Sequence, residues 1–336
     1  MLTRFLMPAI GAVLALSVSV AAAKELRFAH QFPTSHFAVK LVIDPFAAGV
    51  AEKTGGELTM KIFPAEQLAK ASGLLDAVRN RVADVAFVGV TYVTEKMPLT
   101  SVVELPGLVN NVARGYHAFQ TVTQERIAEL EHQPQGVKPI FVALTPPYQF
   151  VLRDTETLDS VDQLAGKKLR VPGATGALAV ESVGGVAVQI PSSDLYVGLD
   201  RGTVDGAIST SASVNSLKLN EVTSLITTNA AMGTVAFVLF VNSDVWEELS
   251  ESQRAAVQEV GTAVGARGAA VMDGVVDKAY KALGDAGMNV VAMPDPMVAE
   301  LNGRLKAVET KWLEDVGARN PAAGEILERF KALLAE

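Results

Sequence analysis

Residues 25–90 decide the fold class of this chain. They contain three strand-like segments, ELRFAH at 25–30, LTMKIF at 58–63 and ADVAFVGV at 83–90, and helix-like segments separate these strands. The first two segments alternate apolar and polar residues, as half-buried strands do, and the third is typical of a buried strand. This β-α-β-α-β order predicts an α/β fold with a mainly parallel sheet and helices on its faces.

The rest of the chain predicts a second unit of the same kind. Residues 235–241 (VAFVLFV) are the most hydrophobic run beyond the N-terminal region, and their position suits a buried strand that returns the chain between two lobes. A long helical stretch, 250–283, follows, and Ser250 and Gln253 fit a capping box at its start. At 1.5 Å per residue this stretch reaches about 50 Å, long enough to lie along both lobes. Further strands are predicted at residues 139–144, 168–171, 186–190, 204–209 and 289–293.

Composition excludes several classes of protein. The chain has 336 residues, 49% of them hydrophobic, which is enough for two domains with packed cores. It contains no cysteine, so disulfides, zinc–thiolate sites and cysteine nucleophiles are excluded. The 29 basic and 37 acidic side chains give a formal net charge of −8, which argues against nucleic acid as a partner.

Residues 1–23 have the character of a signal peptide. Arg4 is their only charged residue, an apolar or small run occupies 5–20, and the segment ends in three alanines at 21–23. The run is short for a membrane span and no stop-transfer pattern follows it, so we expect cleavage and export. The alternative, a buried core helix, seldom begins so close to the N-terminus with these flanks.

The usual catalytic signatures are missing from the sequence. It has no G-x-S-x-G elbow, no GxGxxG, no P-loop and no H-E-x-x-H motif. His30 and His36 are six residues apart, a spacing with no established metal-ligand geometry, and His132 is expected at a solvated helix end. We therefore predict neither a metal site nor a cofactor.

Arg170 is the most informative single side chain. It lies in GKKLRVPG at 166–173, where it alternates with apolar neighbours in a short predicted strand. An arginine on such a strand needs an anionic partner, because its charge cannot be removed by deprotonation. Two partners are open at this point: a neighbouring Asp or Glu, or the carboxylate of a ligand held by a bidentate clamp.

Several motifs recur in a known family. Residues 162–172 read DQLAGKKLRVP, close to D-L-x-G-x-K-x-R-V-P, and residues 195–206 match L-Y-x-x-L-x-x-G-x-V-D-G at every fixed position. Residues 54–58 and 63–68 match T-G-G-E-L and F-P-x-x-Q-L. In this combination and order the chain resembles the extracytoplasmic solute receptors of tripartite ATP-independent periplasmic (TRAP) transporters, the C4-dicarboxylate-receptor-like (DctP) family, along essentially the whole chain after residue 23.

The resemblance implies a fold, a location and a function. It implies a two-lobed periplasmic binding protein fold with hinge strands and a long helix across both lobes. We assign residues 24–147 and 235–274 to lobe I, and residues 148–234 and 275–336 to lobe II. The lobes are expected to close over a small organic acid in the periplasm and to deliver it to membrane permease subunits driven by an ion gradient. Neither catalysis nor a cofactor is implied, and we expect a monomer.

The resemblance also implies ligand contacts. The arginine at the position of Arg170 pairs with the solute carboxylate in the family. Many relatives carry a second arginine where Gln149 or Phe150 stands here, and an asparagine near the position of Ser209. Gln31 and Tyr92 complete the expected pocket. One cation suits one carboxylate, so we predict a monocarboxylate, such as a 2-oxo or 2-hydroxy acid with an apolar or aromatic tail.

Two alternatives stay open. A C4-dicarboxylate receptor would need a second cation, and Lys70 could supply it if its loop turned inward. A periplasmic enzyme acting on a carboxylate would need a base near Arg170, for which His30 is the only candidate.

Overall fold

The computed structural model describes residues 23–336, so the predicted signal peptide lies outside the described residues except for its last alanine. The strands of this part of the chain are β1 (Lys24–His30), β2 (Leu58–Phe63), β3 (Val85–Gly89), β4 (Val137–Leu144), β5 (Gln149–Leu152), β6 (Lys168–Val171), β7 (Val186–Gln189), β8 (Gly206–Ser209), β9 (Leu225–Thr227), β10 (Ala236–Asn242) and β11 (Asn289–Val291). Its α-helices are α1 (Asp44–Lys53), α2 (Leu74–Arg79), α3 (Val112–Val122), α4 (Ala174–Ser182), α5 (Leu195–Asp200), α6 (Ser211–Ser216), α7 (Ser243–Glu248), α8 (Glu251–Ala270), α9 (Met272–Asp285), α10 (Asp295–Gly317) and α11 (Ala323–Ala335).

The first sheet has the strand order β2-β1-β3-β10-β4. Strand β1 pairs in parallel with β2 and β3, which confirms the parallel arrangement predicted from residues 25–90. Strand β10 enters between β3 and β4 and is antiparallel to both. Every residue of β10 is buried, so this hydrophobic run returns the chain through the interior of the sheet.

The second sheet has the order β11-β9-β5-β8-β6-β7. Strand β6, which carries Arg170, is parallel to its neighbours β7 and β8. Strand β5 is antiparallel to β8 and β9. Strands β5 and β9 were not predicted, because they have only four and three residues and neither shows a period of its own. The two sheets confirm the predicted two-lobed α/β architecture.

The predicted long helix is present with one break. Helix α8 begins at the capping box of Ser250 and Gln253, and Val271 separates it from α9. Helix α8 packs against α1, α3 and β4, which belong to the lobe of the first sheet. Helix α9 packs against α6 and β11 in the lobe of the second sheet. The helical stretch therefore runs along both lobes, with Val271 at the crossing.

The C-terminal helices divide between the lobes. Helix α10 packs against α4 of the second lobe, whereas α11 packs against α3 of the first. This packing argues against the assignment of the whole of 275–336 to lobe II, and the other lobe boundaries stay a prediction. None of the helices between residues 23 and 336 combines the length and the apolar character needed to cross a membrane.

The capping box at the start of α8 yields a test of the fold. The Ser250 hydroxyl accepts the backbone N–H of Gln253, and the Gln253 side chain accepts the N–H of Ser250. We expect Ser250→Ala to lower the free energy of unfolding by about 1 kcal/mol, because it leaves a helix-terminal N–H without its acceptor. Chemical denaturation measures this change, with Thr310→Ala, an exposed position inside α10, as the control. An equal loss in both variants would show that the box does not stabilise the long helix.

Candidate ligand-binding site

An aromatic-lined cavity lies between the two lobes. Its empty space is about 680 Å³, part of it open to solvent. The first lobe supplies most of the wall, and Ser192 and Ser213 of the second lobe close it. The aromatic side chains that line it are Phe32, Phe37, Phe87, Tyr92, Tyr148 and Phe237.

The aromatic wall is a series of rings in contact. The rings of Phe87 and Phe237 stack with centroids 5.1 Å apart, and Phe237 contacts Phe32 at 5.2 Å. Phe32 stacks on the imidazole of His36 at 4.1 Å with an angle of 11° between the planes. Phe32, in the segment that follows β1, therefore belongs to the same group of rings as Phe87 of β3 and Phe237 of β10. These rings lie together because the carboxyl ends of the parallel strands β1 and β3 are at the same edge of the sheet.

Arg170 is buried near this cavity without a carboxylate partner in the described chain. Arg170 is only 2% exposed. Nε donates to the carbonyl oxygen of Ile190 at 2.6 Å and Nη1 to that of Ile208 at 3.5 Å. Nη2 is buried and has no hydrogen-bond partner among residues 23–336. The guanidinium is held by backbone carbonyls, and one of its donors is left for another acceptor.

Tyr148 connects Arg170 to the cavity. Its hydroxyl interacts with the guanidinium, and its ring is part of the cavity wall. Burial raises the pKa of Tyr148 well above its usual range, so this hydroxyl stays neutral beside the arginine. The cationic end of the site is therefore a guanidinium next to a neutral phenol.

Two more of the predicted residues lie at the seam between the lobes. The side-chain amide of Gln31, at the end of β1, donates to Ser192 Oγ of the second lobe at 2.9 Å and to the Tyr92 hydroxyl at 3.4 Å. The backbone N–H of Ser192 also donates to the Tyr92 hydroxyl at 3.4 Å. Gln31 Oε1 is buried and has no partner within the described residues. The lobes are thus in polar contact beside the cavity.

The other predicted contacts lie elsewhere in the second lobe. Gln149 Oε1 accepts from Thr227 Oγ1 and from the backbone N–H of Ala230, so this amide oxygen is used within the protein. Phe150 is fully buried in the core, and Ser209 pairs with Gln149 across strands β8 and β5. None of these three is among the residues that line the aromatic cavity. As ligand contacts, all six predicted residues stay predictions.

Lys70 does not reach the cavity. Its side chain is 78% exposed and forms an ion pair with Glu66 at 3.0 Å. In this position Lys70 does not supply the second cation that a dicarboxylate receptor would need.

The comparison with known proteins decides the family. Residues 28–315 match the family model described as bacterial extracellular solute-binding protein, family 7, named DctP. The chain belongs to this family. It is 26% identical over 300 residues to the protein named outer membrane transporter protein TsaT of Comamonas testosteroni, with 88% of this chain and 87% of that protein covered.

Solved structures share the fold of this DctP protein. A TRAP solute-binding protein from a marine metagenome, described as specific for aromatic acid ligands and solved with 3-hydroxybenzoate, has a TM-score of 0.87 and 23% identity over 94% of this chain and 98% of its own. A TRAP solute-binding protein from Rhodoferax ferrireducens T118, solved with copurified benzoate, has a TM-score of 0.87 and 22% identity over 93% of this chain and 98% of its own.

Membership of the family confirms the recognition made from the sequence motifs. The protein is a periplasmic solute-binding protein of the TRAP type, a receptor rather than an enzyme. The alternative of a periplasmic enzyme is therefore wrong. Receptors of this family work with membrane permease subunits. Among residues 23–336, no group of three or more His, Cys, Asp or Glu side chains could hold a metal ion.

Most of the residues that line the cavity of this receptor are outside the motifs that identify a site in the sequence. Three of these lining residues, Phe32, His36 and Phe37, come from one short segment, HQFPTSHF at 30–37, in which four of the eight residues, His30 included, are phenylalanine or histidine. That local density of rings was the available signal. Tyr148 and Phe237 lie in the chain crossings between the lobes, and only the tertiary structure brings them to the same wall.

His132 corrects a prediction. It is fully buried rather than solvated, and its Nε2 lies 2.9 Å from Thr100 Oγ1. The neighbouring Glu131 accepts the backbone N–H groups of Leu99 and Thr100 at 2.6 and 2.8 Å. These contacts anchor the start of the 3₁₀ segment Leu99–Glu104, which explains why a polar helix end is turned inward.

Glu104, at the end of this 3₁₀ segment, is a buried acid at the junction of the lobes. It is 4% exposed and lies near Thr91 of the first lobe and Thr175 of the second. Burial raises the pKa of Glu104 to about 8, against the weaker opposing effect of the two threonine hydroxyls. Near neutral pH the folded receptor therefore holds Glu104 in its protonated form.

The raised pKa of Glu104 makes the stability of the receptor depend on pH. The unfolded chain releases this proton near pH 4.5 and the folded chain near pH 8, so the stabilisation is complete below pH 4.5 and lost as the pH rises through about 8. Between pH 7 and 8 we expect the free energy of unfolding to fall by about 1 kcal/mol. Thermal unfolding at both pH values should show this fall in the wild type and a smaller one in Glu104→Gln. The exposed Glu156→Gln is the control, and an undiminished fall in Glu104→Gln would contradict the assignment.

Proposed function

We propose that this TRAP receptor binds a monocarboxylate with an aromatic or apolar tail and delivers it, as a monomer, to its permease. The observation that carries the proposal is the combination of one buried guanidinium, Arg170, with a nearby cavity lined by six aromatic side chains. The guanidinium suits the acid group and the ring-lined wall suits the tail.

The carboxylate is assigned to Arg170. A buried guanidinium keeps its charge, and its free Nη2 needs an acceptor. A ligand carboxylate satisfies that donor and neutralises the charge in one contact. Tyr148 stands beside this position as a neutral phenol, so it adds a hydrogen-bonding group without a competing negative charge.

The tail is assigned to the aromatic wall. Offset-stacked and edge-on ring contacts stabilise an aromatic guest beyond the area that it buries. Two structural neighbours with the same fold were solved with benzoate and 3-hydroxybenzoate, which supports this tail class. The buried, unpaired Gln31 Oε1 also suits a ligand with a hydroxyl next to its carboxylate, as in a 2-hydroxy acid. In a 2-oxo acid the Gln31 amide would turn to donate instead.

A dicarboxylate fits less well. No lysine or arginine of the described chain lines the aromatic cavity directly; Arg170 is connected to it through Tyr148, and Lys70 is paired at the surface. A second carboxylate would lose its hydration in this cavity and gain only neutral donors.

A binding experiment tests the ligand class. A thermal-shift screen followed by calorimetry should include benzoate, mandelate, phenylpyruvate, succinate and malate. At 100 times the dissociation constant, the ligand stabilises the protein by about 2.7 kcal/mol, which is readily measured. We expect hits among the aromatic monocarboxylates. Hits confined to succinate and malate would overturn the proposal.

Substitution of Arg170 tests the clamp. Arg170→Met keeps the length of the side chain and removes the charge, so we expect the affinity for the best aromatic acid to fall at least a hundredfold. Arg170→Lys should lose part of the affinity, because an ammonium cannot make the planar fork contact. The exposed Arg201→Ala is the control and should bind normally. Near wild-type affinity in a folded Arg170→Met protein would refute the clamp.

The mechanism is binding by lobe closure, in which a solute that contacts both lobes raises the population of the closed state. The crossing strands are joined by Thr145, whose Oγ1 accepts the N–H of Val235 at 2.9 Å and lies 3.2 Å from Thr234 Oγ1. The closed lobes come into close contact at Gly173, which precedes α4. A Cβ at this glycine would lie 2.2 Å from Thr91 Oγ1 and 2.3 Å from Thr91 O of the other lobe.

Gly173→Ala should therefore hinder closure. The added methyl group collides with backbone of the opposite lobe only when the cleft is shut, so we expect the fold to persist and the affinity to fall about tenfold or more. Calorimetry gives the affinity, and small-angle scattering with saturating ligand should report a larger radius of gyration than the wild type. Gly274→Ala, whose Cβ would meet nothing within 4 Å, is the control. Full compaction and normal affinity in Gly173→Ala would rule out this contact as part of closure.

A further inference from the structure

We propose that His36 is a specificity-determining residue, whose Nε2–H selects aromatic acids that carry a neutral hydrogen-bond acceptor, such as a hydroxyl or ether oxygen, on the ring. This inference rests on the proposed function, because it concerns the tail of the same ligand. His36 lines the aromatic cavity from the first lobe, whereas Arg170 belongs to β6 of the second. The two groups therefore address the ligand from opposite lobes.

The tautomer of His36 follows from its own backbone. Its Nδ1 accepts the N–H of Ala38 at 3.2 Å, so Nδ1 carries no proton. In a neutral imidazole the proton then resides on Nε2, which becomes a donor. Burial, with a smaller contribution from the nearby His30, lowers the pKa of His36 to about 3, so the ring is neutral at physiological pH. His36 is thus a donor without charge.

The ring of His36 is held so that this donor meets the cavity. Phe32 stacks on one face at 4.1 Å, and the ring of Phe37 lies at 4.5 Å. The Nδ1 edge is turned to the backbone of Ala38, and His36 lines the cavity. We infer from these two observations that the edge with Nε2 faces the cavity. His36 is 2% exposed. Within the described residues, its side chain makes one hydrogen bond, the one that Nδ1 accepts from Ala38. A donor in this setting needs an acceptor when the cleft is shut.

His30 makes the same kind of backbone contact as His36, and its ring lies 6.4 Å from that of Phe32. Its Nδ1 accepts the N–H of Phe32 at 3.2 Å, and its Nε2 is buried without a partner in the described chain. Burial lowers the pKa of His30 to about 4, so it too is neutral. This part of the site therefore offers N–H donors but no cation. It suits an oxygen substituent on an aromatic ring and does not suit a second carboxylate.

The expected preference for oxygen-substituted acids follows from the free-energy cost of leaving a buried N–H donor without an acceptor. A ligand with a bare ring leaves the Nε2–H of His36 desolvated and unpaired in the closed cleft, whereas an oxygen substituent satisfies it. We expect wild-type receptor to bind a correctly substituted acid at least about tenfold more tightly than its unsubstituted parent. In His36→Phe, which keeps the stacked ring and removes the donor, this ratio should fall to about one.

The test is a set of affinities measured by calorimetry. Benzoate and phenylacetate are compared with their 3- and 4-hydroxy and 3- and 4-methoxy derivatives in wild type and His36→Phe. The methoxy group accepts but cannot donate, so it isolates the donor role of His36. His36→Asn, which restores a donor, should regain part of the preference, and His117→Phe at the exposed helix surface should keep the wild-type ratio.

The outcomes separate the two proposals. If wild type binds the parent acids and the ratio is the same in wild type and His36→Phe, the inference about His36 is overturned while the proposed function stands. If wild type binds none of the aromatic acids, the proposed function itself fails. A ratio that collapses in His36→Phe, with affinity for the parent acid retained, supports the inference, because a merely structural role for His36 would weaken all ligands alike.

Discussion

A buried guanidinium without a carboxylate partner is the constraint on which the site depends. Arg170 cannot lose its charge, and the two carbonyl oxygens that it reaches, those of Ile190 and Ile208, offset only part of the cost of removing that charge from water. One donor nitrogen stays unpaired among the described residues. We propose that the solute supplies the missing anion, so that binding completes a pairing that folding leaves incomplete.

The architecture places this charge in one lobe and the aromatic wall in the other. The second sheet carries Arg170 at the end of β6, and the first sheet carries the aromatic wall at the ends of β1 and β3. The chain crosses between the sheets before β5 and at β10, and again where α8 gives way to α9 at Val271. Each lobe has half of the site. Contacts such as Gln31 with Ser192, and Gly173 with Thr91, exist only while the halves are together.

The polar groups of the site differ in what they contribute. Arg170 provides charge, while Tyr148, His30 and His36 are held neutral because burial disfavours their charged forms. Glu104 is likewise protonated near neutral pH at the junction of the lobes. A site with one charge and several neutral donors favours one carboxylate and discriminates among tails by hydrogen bonds. This is the physical basis of both proposals.

The sequence alone determined the family, the parallel core of residues 25–90, and the long helix with its capping box, whereas the role of Arg170 as a ligand clamp stays a proposal. These features follow from local periodicity, from capping chemistry and from motifs that can be recognised without knowledge of the tertiary structure. It did not identify β5 and β9, whose few residues become strands only by pairing with neighbours. It also placed Gln149, Phe150 and Ser209 at the pocket by their offset along the chain, and none of them is among the residues lining the aromatic cavity.

The tertiary structure decided the partners of buried polar groups and the packing of distant segments, which offsets along the chain do not predict. Gln149 is used within the protein by Thr227 and Ala230, His132 is drawn inward to Thr100, and α11 returns to the first lobe beside α3. The aromatic wall joins Phe32 to Phe237, two rings about two hundred residues apart in the chain. A sequence records which groups are available and how neighbours fold locally, but the partners of a buried polar group and the lining of a cleft depend on contacts between distant segments.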